Sequence, residues 1–338
     1  MYGVDEKSFG ERADSGYFNG DQQKVGGLGK RLQHVFEYLA YRGLEKLVFL
    51  LPWTLLEKVA FGLAFIAYRL VKIRRQVTLD NLRQAFPEKS FRELDALAYA
   101  SYRHFCWVAL EFLKLGRLGF DQLETMVQLE TPGWLEEYLP QNRGLIMVSG
   151  HFGNWEIAGA YFASCWPHQA TVIQKRQKNR RVDRHMADLR RRWNMEVVYV
   201  RNAVSNCLRA LAKQKLVGLL ADQDIGRRGV FVPFFGRRAS TPPGAAILHL
   251  KSGAPLVFAY AYRRERHSFR LGLVDLSLPE NERTGNMNED IKTVLARYNR
   301  VLERFVREHP EQYFWMHKRW KTAPPSENVS LKTAVIRS

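Results

Sequence analysis

Residues 145–156 read LIMVSGHFGNWE, an apolar run that breaks at a glycine, a histidine and a second glycine. The uncharged residues before Gly150 predict a strand over Leu145–Ser149. From Trp155 the apolar spacing is helical, over about 155–165, and Asn154 is placed to cap that helix. Downstream, β-rich runs recur at Thr171–Gln174, Val197–Val200, Leu216–Ala221 and Leu256–Tyr262. Helix-like stretches lie among them at about 183–193, 205–214 and 243–252, and a last one runs over about 289–308. Strands alternating with helices predict an α/β fold, with a mostly parallel central sheet flanked by helices. Upstream, residues 30–140 read as almost wholly helical.

The 338 residues suffice for one large α/β domain, and 46% hydrophobic with 25% charged is an ordinary globular balance. The net charge of +18 must attract something acidic: nucleic acid, anionic lipid or an acidic protein. No RNP-type, KH or zinc-finger motif accompanies that charge, so no nucleic-acid partner is expected. Cys106, Cys165 and Cys207 are far apart and odd in number, which supports neither a disulfide framework nor a zinc ribbon. Reduced, cytosol-facing thiols are the simplest reading.

Two uncharged segments, 47–56 and 59–68, are separated by Glu57 and Lys58, and Pro52 interrupts the first. A spanning helix needs about 20 apolar residues in one run, and neither segment reaches that. A charge at the centre of a span costs roughly 2.5–3.5 kcal/mol. The expectation is two short segments in the membrane interface, with Trp53 and Tyr68 at headgroup level and Arg69, Lys72, Arg74 and Arg75 meeting anionic lipid. The expected organisation is a flexible tail over 1–29, a helical membrane-associated part over 30–140, an α/β core over 141–322 and a second tail over 323–338. The first tail carries Asp5, Glu6, Glu11 and Asp14 with no apolar core, unlike a signal peptide.

In an open α/β sheet, sites gather at the carboxyl ends of the strands, and there the chain places His151. Gly150 and Gly153 ease a turn, and Glu156 falls in the first turn of the following helix. From there its carboxylate is expected to hold the imidazole tautomer, making His151 a general base. Spacing alone also allows a plain loop histidine and a carboxylate that complements a helix dipole. No HExxH motif or diagnostic third ligand is present, so neither a metal nor another cofactor is expected.

Other candidates surround this pair. Asp222 and Asp224 end the strand-like run before them and could orient a substrate or a neighbouring base; a magnesium role is conceivable, as is a surface turn. Phe231, Phe234 and Phe235, with Gly236, could line an apolar channel or pack in the core, and Thr241 could cap the next helix. Nine Lys and Arg fall within 175–192, which reads either as a solvated helix face or as a surface for phosphate or an acidic protein.

Five stretches in order resemble the bacterial lipid A biosynthesis acyltransferases, the late lauroyl/myristoyl transferases, over about residues 32–322. They are NLRQAFPE (81–88), SGHFGNWE (149–156), QKNRRVD (177–183), the 28-residue stretch at 219–246 and PEQYFWMHKRW (310–320). The resemblance implies a glycerolipid-acyltransferase-like fold at the cytoplasmic face of the inner membrane. It implies transfer from acyl-acyl carrier protein to a hydroxyl of a lipid A precursor. His151 and Glu156 would be catalytic, and Asn154, Arg176, Asn179, Asp222, Asp224, Phe235, Gly236 and Thr241 would bind substrate. Lys175 stands where the family has Arg, and Arg176 and Arg180 where it has Pro. Because a strand alternates its side chains, one of Lys175 and Arg176 is expected to face the site; register selects Lys175 to steady the oxyanion. A sister enzyme acting on another membrane glycolipid or glycerolipid fits the same residues.

Overall fold

The computed structural model describes residues 28–325, so the two expected tails lie almost wholly outside the described residues. The chain begins with α1 (Leu28–Leu50) and α2 (Trp53–Phe65), which runs on through one π turn to Leu70. Pro52 lacks the N–H that would continue α1, and it sits at the N-cap of α2. Next come α3 (Arg75–Ala85) and the long α4 (Phe91–Leu115). A reciprocal Ser90–Glu93 capping box starts α4. Short α5 (Phe120–Thr125), β1 (Val127–Leu129) and α6 (Trp134–Tyr138) lead into the core.

The core then alternates: β2 (Leu145–Ser149), α7 (Trp155–Cys165), β3 (Ala170–Gln174), α8 (Arg180–Arg191), β4 (Met195–Tyr199), α9 (Ala203–Leu211) and β5 (Leu216–Leu220). A hairpin, β6 (Val230–Phe234) and β7 (Arg237–Thr241), interrupts it before α10 (Gly244–Ser252), β8 (Leu256–Glu265), β9 (Ser268–Asp275) and α11 (Met287–Glu308). The central sheet has seven strands in the order β1-β9-β8-β2-β5-β3-β4. Its pairings are parallel except β8 with β9. This is the expected fold class, and β2 and α7 have the expected bounds.

Every residue of β2 is buried, as a central parallel strand covered on both faces requires. Alternation divides it: Ile146 and Val148 join a core with α10 and α11 residues such as Leu248 and Leu302. Leu145 and Met147 join the opposite core, with Ile157 and Phe162 of α7. A third, smaller core holds α1 and α2 against α4 through Val48, Leu56, Ala60, Trp107, Leu110 and Leu113.

The outer faces of α1 and α2 are apolar and open to solvent. Phe36 is 75% exposed and Leu50 80%, so these large side chains have no cover among the described residues. Leu32, Leu39, Leu47, Leu55, Leu63, Phe65 and Ile66 are exposed with them. Thus 47–56 and 59–68 are neither wholly buried nor wholly free: one face packs and the other does not. Among the described residues no helix is long and apolar enough to cross a membrane.

Candidate active site

The turn after β2 is locked from several sides. A side chain on Gly153, at φ +57°, would put Cβ 2.0 Å from the Ala261 carbonyl oxygen, so only glycine fits. Asn154 caps α7 by accepting from Ile157 N at 3.1 Å, as expected. Its amide donates at 2.7 Å to Glu111, a buried carboxylate that also accepts from both terminal nitrogens of Arg263. From the other side, residues 310–320 fold over the turn. Gly153 N donates to Gln312 O at 2.8 Å, and Phe314 N to His151 O at 3.0 Å.

Held this way, His151 meets Asp222. In the β2–β5 pairing Ser149 stands opposite Leu220, so His151 and Asp222 are each two residues past a matched pair of strand ends. One Asp222 oxygen lies 2.7 Å from His151 Nδ1, and the other accepts from His151 N at 2.9 Å. A carboxylate on Nδ1 fixes the proton there and leaves Nε2 as an acceptor, which is what a general base requires. The His151 side chain is 22% exposed and Asp222 3%, so the imidazole is reachable while its partner is sealed. Trp155 and Phe314 flank the imidazole, with ring centres at 5.0 and 5.9 Å.

Burial pulls the His151 pKa down, but the charge and hydrogen bond of Asp222 outweigh it, and the net direction is up. For Asp222, burial pushes up and the His151 charge and hydrogen bonds, with the nearby Arg319, pull the net below the usual carboxylate value. Arg319 is itself buried, donating to Ser240 O at 2.6 Å and Thr241 Oγ1 at 2.9 Å.

Glu156, the acid expected to orient His151, does not occupy that position. It pairs with Arg190 of α8, at 2.5 Å from Nη2 and 3.2 Å from Nε, and accepts from Trp155 Nε1 at 3.1 Å. The first turn of α7 aims it at α8, while β5 brings Asp222 to the imidazole. Lys175 is exposed beyond Gln174, the last residue of β3, so strand alternation does not decide between it and Arg176. Arg176 lies over the Tyr199 ring at 4.1 Å.

Other expected substrate contacts are occupied within the fold. Asn154 is fully buried between the α7 cap and Glu111. Asn179 caps α8 and donates to His34 O at 2.7 Å and to Glu37 at 3.0 Å, joining α8 to α1. Asp224 accepts from Gly226 N at 2.8 Å and from Thr322 N and Oγ1 at 3.0 and 2.8 Å. Phe235 and Gly236 are the two positive-φ residues of the β6–β7 hairpin, at +50° and +68°. Phe235 packs on Phe86, Phe234 and Trp315, so it lines the core. Thr241 ends β7 and bonds Arg319; the N-cap of α10 is Pro243. Among the described residues no group of three His, Cys, Asp or Glu gathers to hold a metal.

Comparison with known proteins agrees with the motifs. The sequence is 27% identical over 284 residues to the lipid A biosynthesis palmitoleoyltransferase of Escherichia coli (strain K12), covering 82% of this chain and 89% of that protein. It is 28% identical over 287 residues to the lipid A biosynthesis lauroyltransferase of the same organism, covering 83% and 90%. A phosphatidylinositol mannoside acyltransferase of Mycolicibacterium smegmatis is 30% identical over 145 residues, 42% of this chain and 46% of that protein. The model of the bacterial lipid A biosynthesis acyltransferases matches residues 29–322, and the chain belongs to that family.

Proposed function

We propose that the protein moves a fatty acyl chain from acyl-acyl carrier protein to a hydroxyl of a lipid A precursor at the cytoplasmic face of the inner membrane. The observation that carries this reading is the His151–Asp222 pair, with Nδ1 held at 2.7 Å on a side chain that remains 22% exposed. In the proposed step, Nε2 takes the acceptor hydroxyl proton while the oxygen attacks the thioester carbonyl carbon. The C–S bond then breaks, sulfur leaves with the electron pair, and the imidazolium returns the proton to it. Asp222 keeps the tautomer and stabilises the imidazolium; Glu156 is tied to Arg190.

The bilayer role rests on the exposed apolar faces of α1 and α2, beside which Lys58, Arg69, Lys72 and Arg74 are also exposed. Apolar side chains next to cations favour an anionic interface over either component alone. The cations Lys178, Arg180, Arg181 and Arg184 are exposed near α1, which Asn179 joins, and they suit phosphate on a lipid acceptor. Acyl carrier protein as donor is carried by the family resemblance.

Lipid mass spectrometry on cells with and without the gene tests the acceptor. A lipid A species lighter by one acyl chain when the gene is absent is the expected result. Unchanged lipid A with a deacylated glycolipid or glycerolipid would move the acceptor to a sister class, which the mannoside-acyltransferase match keeps in view.

A further inference from the structure

A tetrahedral oxyanion needs a donor, and Lys175 is exposed at the end of a strand two places from β2 in the sheet, roughly 10 Å away at the usual strand spacing. A nearer donor is present. The side-chain nitrogen of Gln223 lies 3.4 Å from His151 Nε2, the atom that would receive the acceptor proton. Because Asp222 fixes the other imidazole proton on Nδ1, Nε2 is an acceptor. The amide must therefore turn its NH₂ end, not its carbonyl, toward that nitrogen.

The backbone of Gln223 is pinned on both sides. Asp222 is held by His151; Asp224 N donates to His317 Nε2 at 2.9 Å, and the Asp224 carboxylate is held by Gly226 and Thr322. The Gln223 side chain is part-exposed, and that long contact is its hydrogen bond among the described residues. At 3.4 Å it is at the far limit of a useful bond and easily displaced. A hydroxyl arriving to donate to Nε2 takes over that acceptor, and the amide N–H is then left beside the reacting carbon without a partner.

We propose that Gln223 is a catalytic residue: displaced from Nε2 by the acceptor hydroxyl, its amide N–H donates to the carbonyl oxygen of the thioester as that oxygen becomes negative. This rests on the acyl-transfer reading above. The electron pair of the C=O moves onto oxygen as the new C–O bond forms and returns as the C–S bond breaks. Gln223 gives up no proton, so His151 carries the only one transferred.

The test uses the full chain with acyl-acyl carrier protein and a detergent-dispersed lipid A precursor, comparing wild type, Gln223→Ala and Gln223→Glu. Loss of one such donor lowers kcat by about 10²–10³, and KM should stay within about threefold. Gln223→Glu keeps the shape but presents a carboxylate, so it should lose kcat as well and raise the pH midpoint of kcat/KM by stabilising imidazolium. A melting temperature equal to wild type in Gln223→Glu separates this from a folding defect. Near-wild-type kcat in Gln223→Ala, or an unmoved pH midpoint with full activity in Gln223→Glu, overturns the assignment. Wild type that transfers acyl groups while Gln223→Ala does so equally overturns Gln223 alone; wild type that transfers none overturns the parent reading.

Discussion

Asp222 grips His151 at two points, the ring Nδ1 at 2.7 Å and the backbone N at 2.9 Å, so one buried carboxylate sets both the tautomer and the place of the imidazole. Asp222→Asn keeps the shape but can present an N–H to Nδ1, which favours the wrong tautomer. Removing a carboxylate in this role lowers kcat about 10⁴-fold in a Ser-His-Asp triad, and a loss of about 10³–10⁴-fold is expected here. Steady-state kinetics of the variant, with circular dichroism to verify folding, check this.

The same pair sets the pH response. The base works only when neutral, and its folded pKa is raised, so kcat/KM should rise with pH through a midpoint above the ordinary imidazole value of about 6.5. Asp222→Asn removes the charge that raises it, and the midpoint should move down. For stability, the raised His151 pKa favours the folded state below the ordinary imidazole pKa, and that contribution disappears as pH rises through the folded value. The lowered Asp222 pKa acts oppositely: its contribution is present above the ordinary carboxylate value and is lost as pH falls through the folded one. A pH–rate profile on wild type and Asp222→Asn reads the direction of both midpoints.

Glu156 should separate from Asp222 in its effect. Its pair with Arg190 is only 10% and 13% exposed, and breaking a buried pair by removing one partner costs about 3–5 kcal/mol. Glu156→Gln should lower the melting temperature clearly. Denaturant unfolding beside kinetics tells the two roles apart: a Glu156 variant of unchanged stability but no activity would return the orienting role to that residue.

Attachment to bilayers should follow the exposed faces of α1 and α2. Substituting Phe36, Leu39, Leu47 and Leu50 together by Ser should reduce binding to anionic vesicles at least 10²-fold, since each apolar side chain contributes on the order of 1–2 kcal/mol when buried. Deleting the first 50 described residues would also strip Val48, Leu56 and Ala60 from Trp107, Leu110 and Leu113, so surface substitutions are the cleaner test. Vesicle co-sedimentation with and without high salt reads the apolar and electrostatic parts separately.

Periodicity made β2 and α7 legible because a fully apolar strand, two glycines and an N-capping Asn all act locally. The β6–β7 hairpin was hidden: its turn residues are Phe235 and Gly236, and Phe at positive φ is not a recognisable turn signal. The carboxylate that contacts the His151 ring was hidden for a different reason. Residues five apart in sequence draw attention, but parallel pairing brings Asp222 to His151 across a separation of 71 positions, and only the β2–β5 register reveals that. The fold of 310–320 over the site, through Gln312, Phe314 and His317, is likewise a tertiary contact with no local spacing.

The most direct test of the account is single-turnover transfer of a labelled acyl chain from acyl-acyl carrier protein to a lipid A precursor by His151→Ala beside wild type. The account predicts that wild type esterifies a hydroxyl of the acceptor while the folded variant, still bound to vesicles, transfers nothing above the uncatalysed background. Transfer by His151→Ala at a rate near wild type would contradict it.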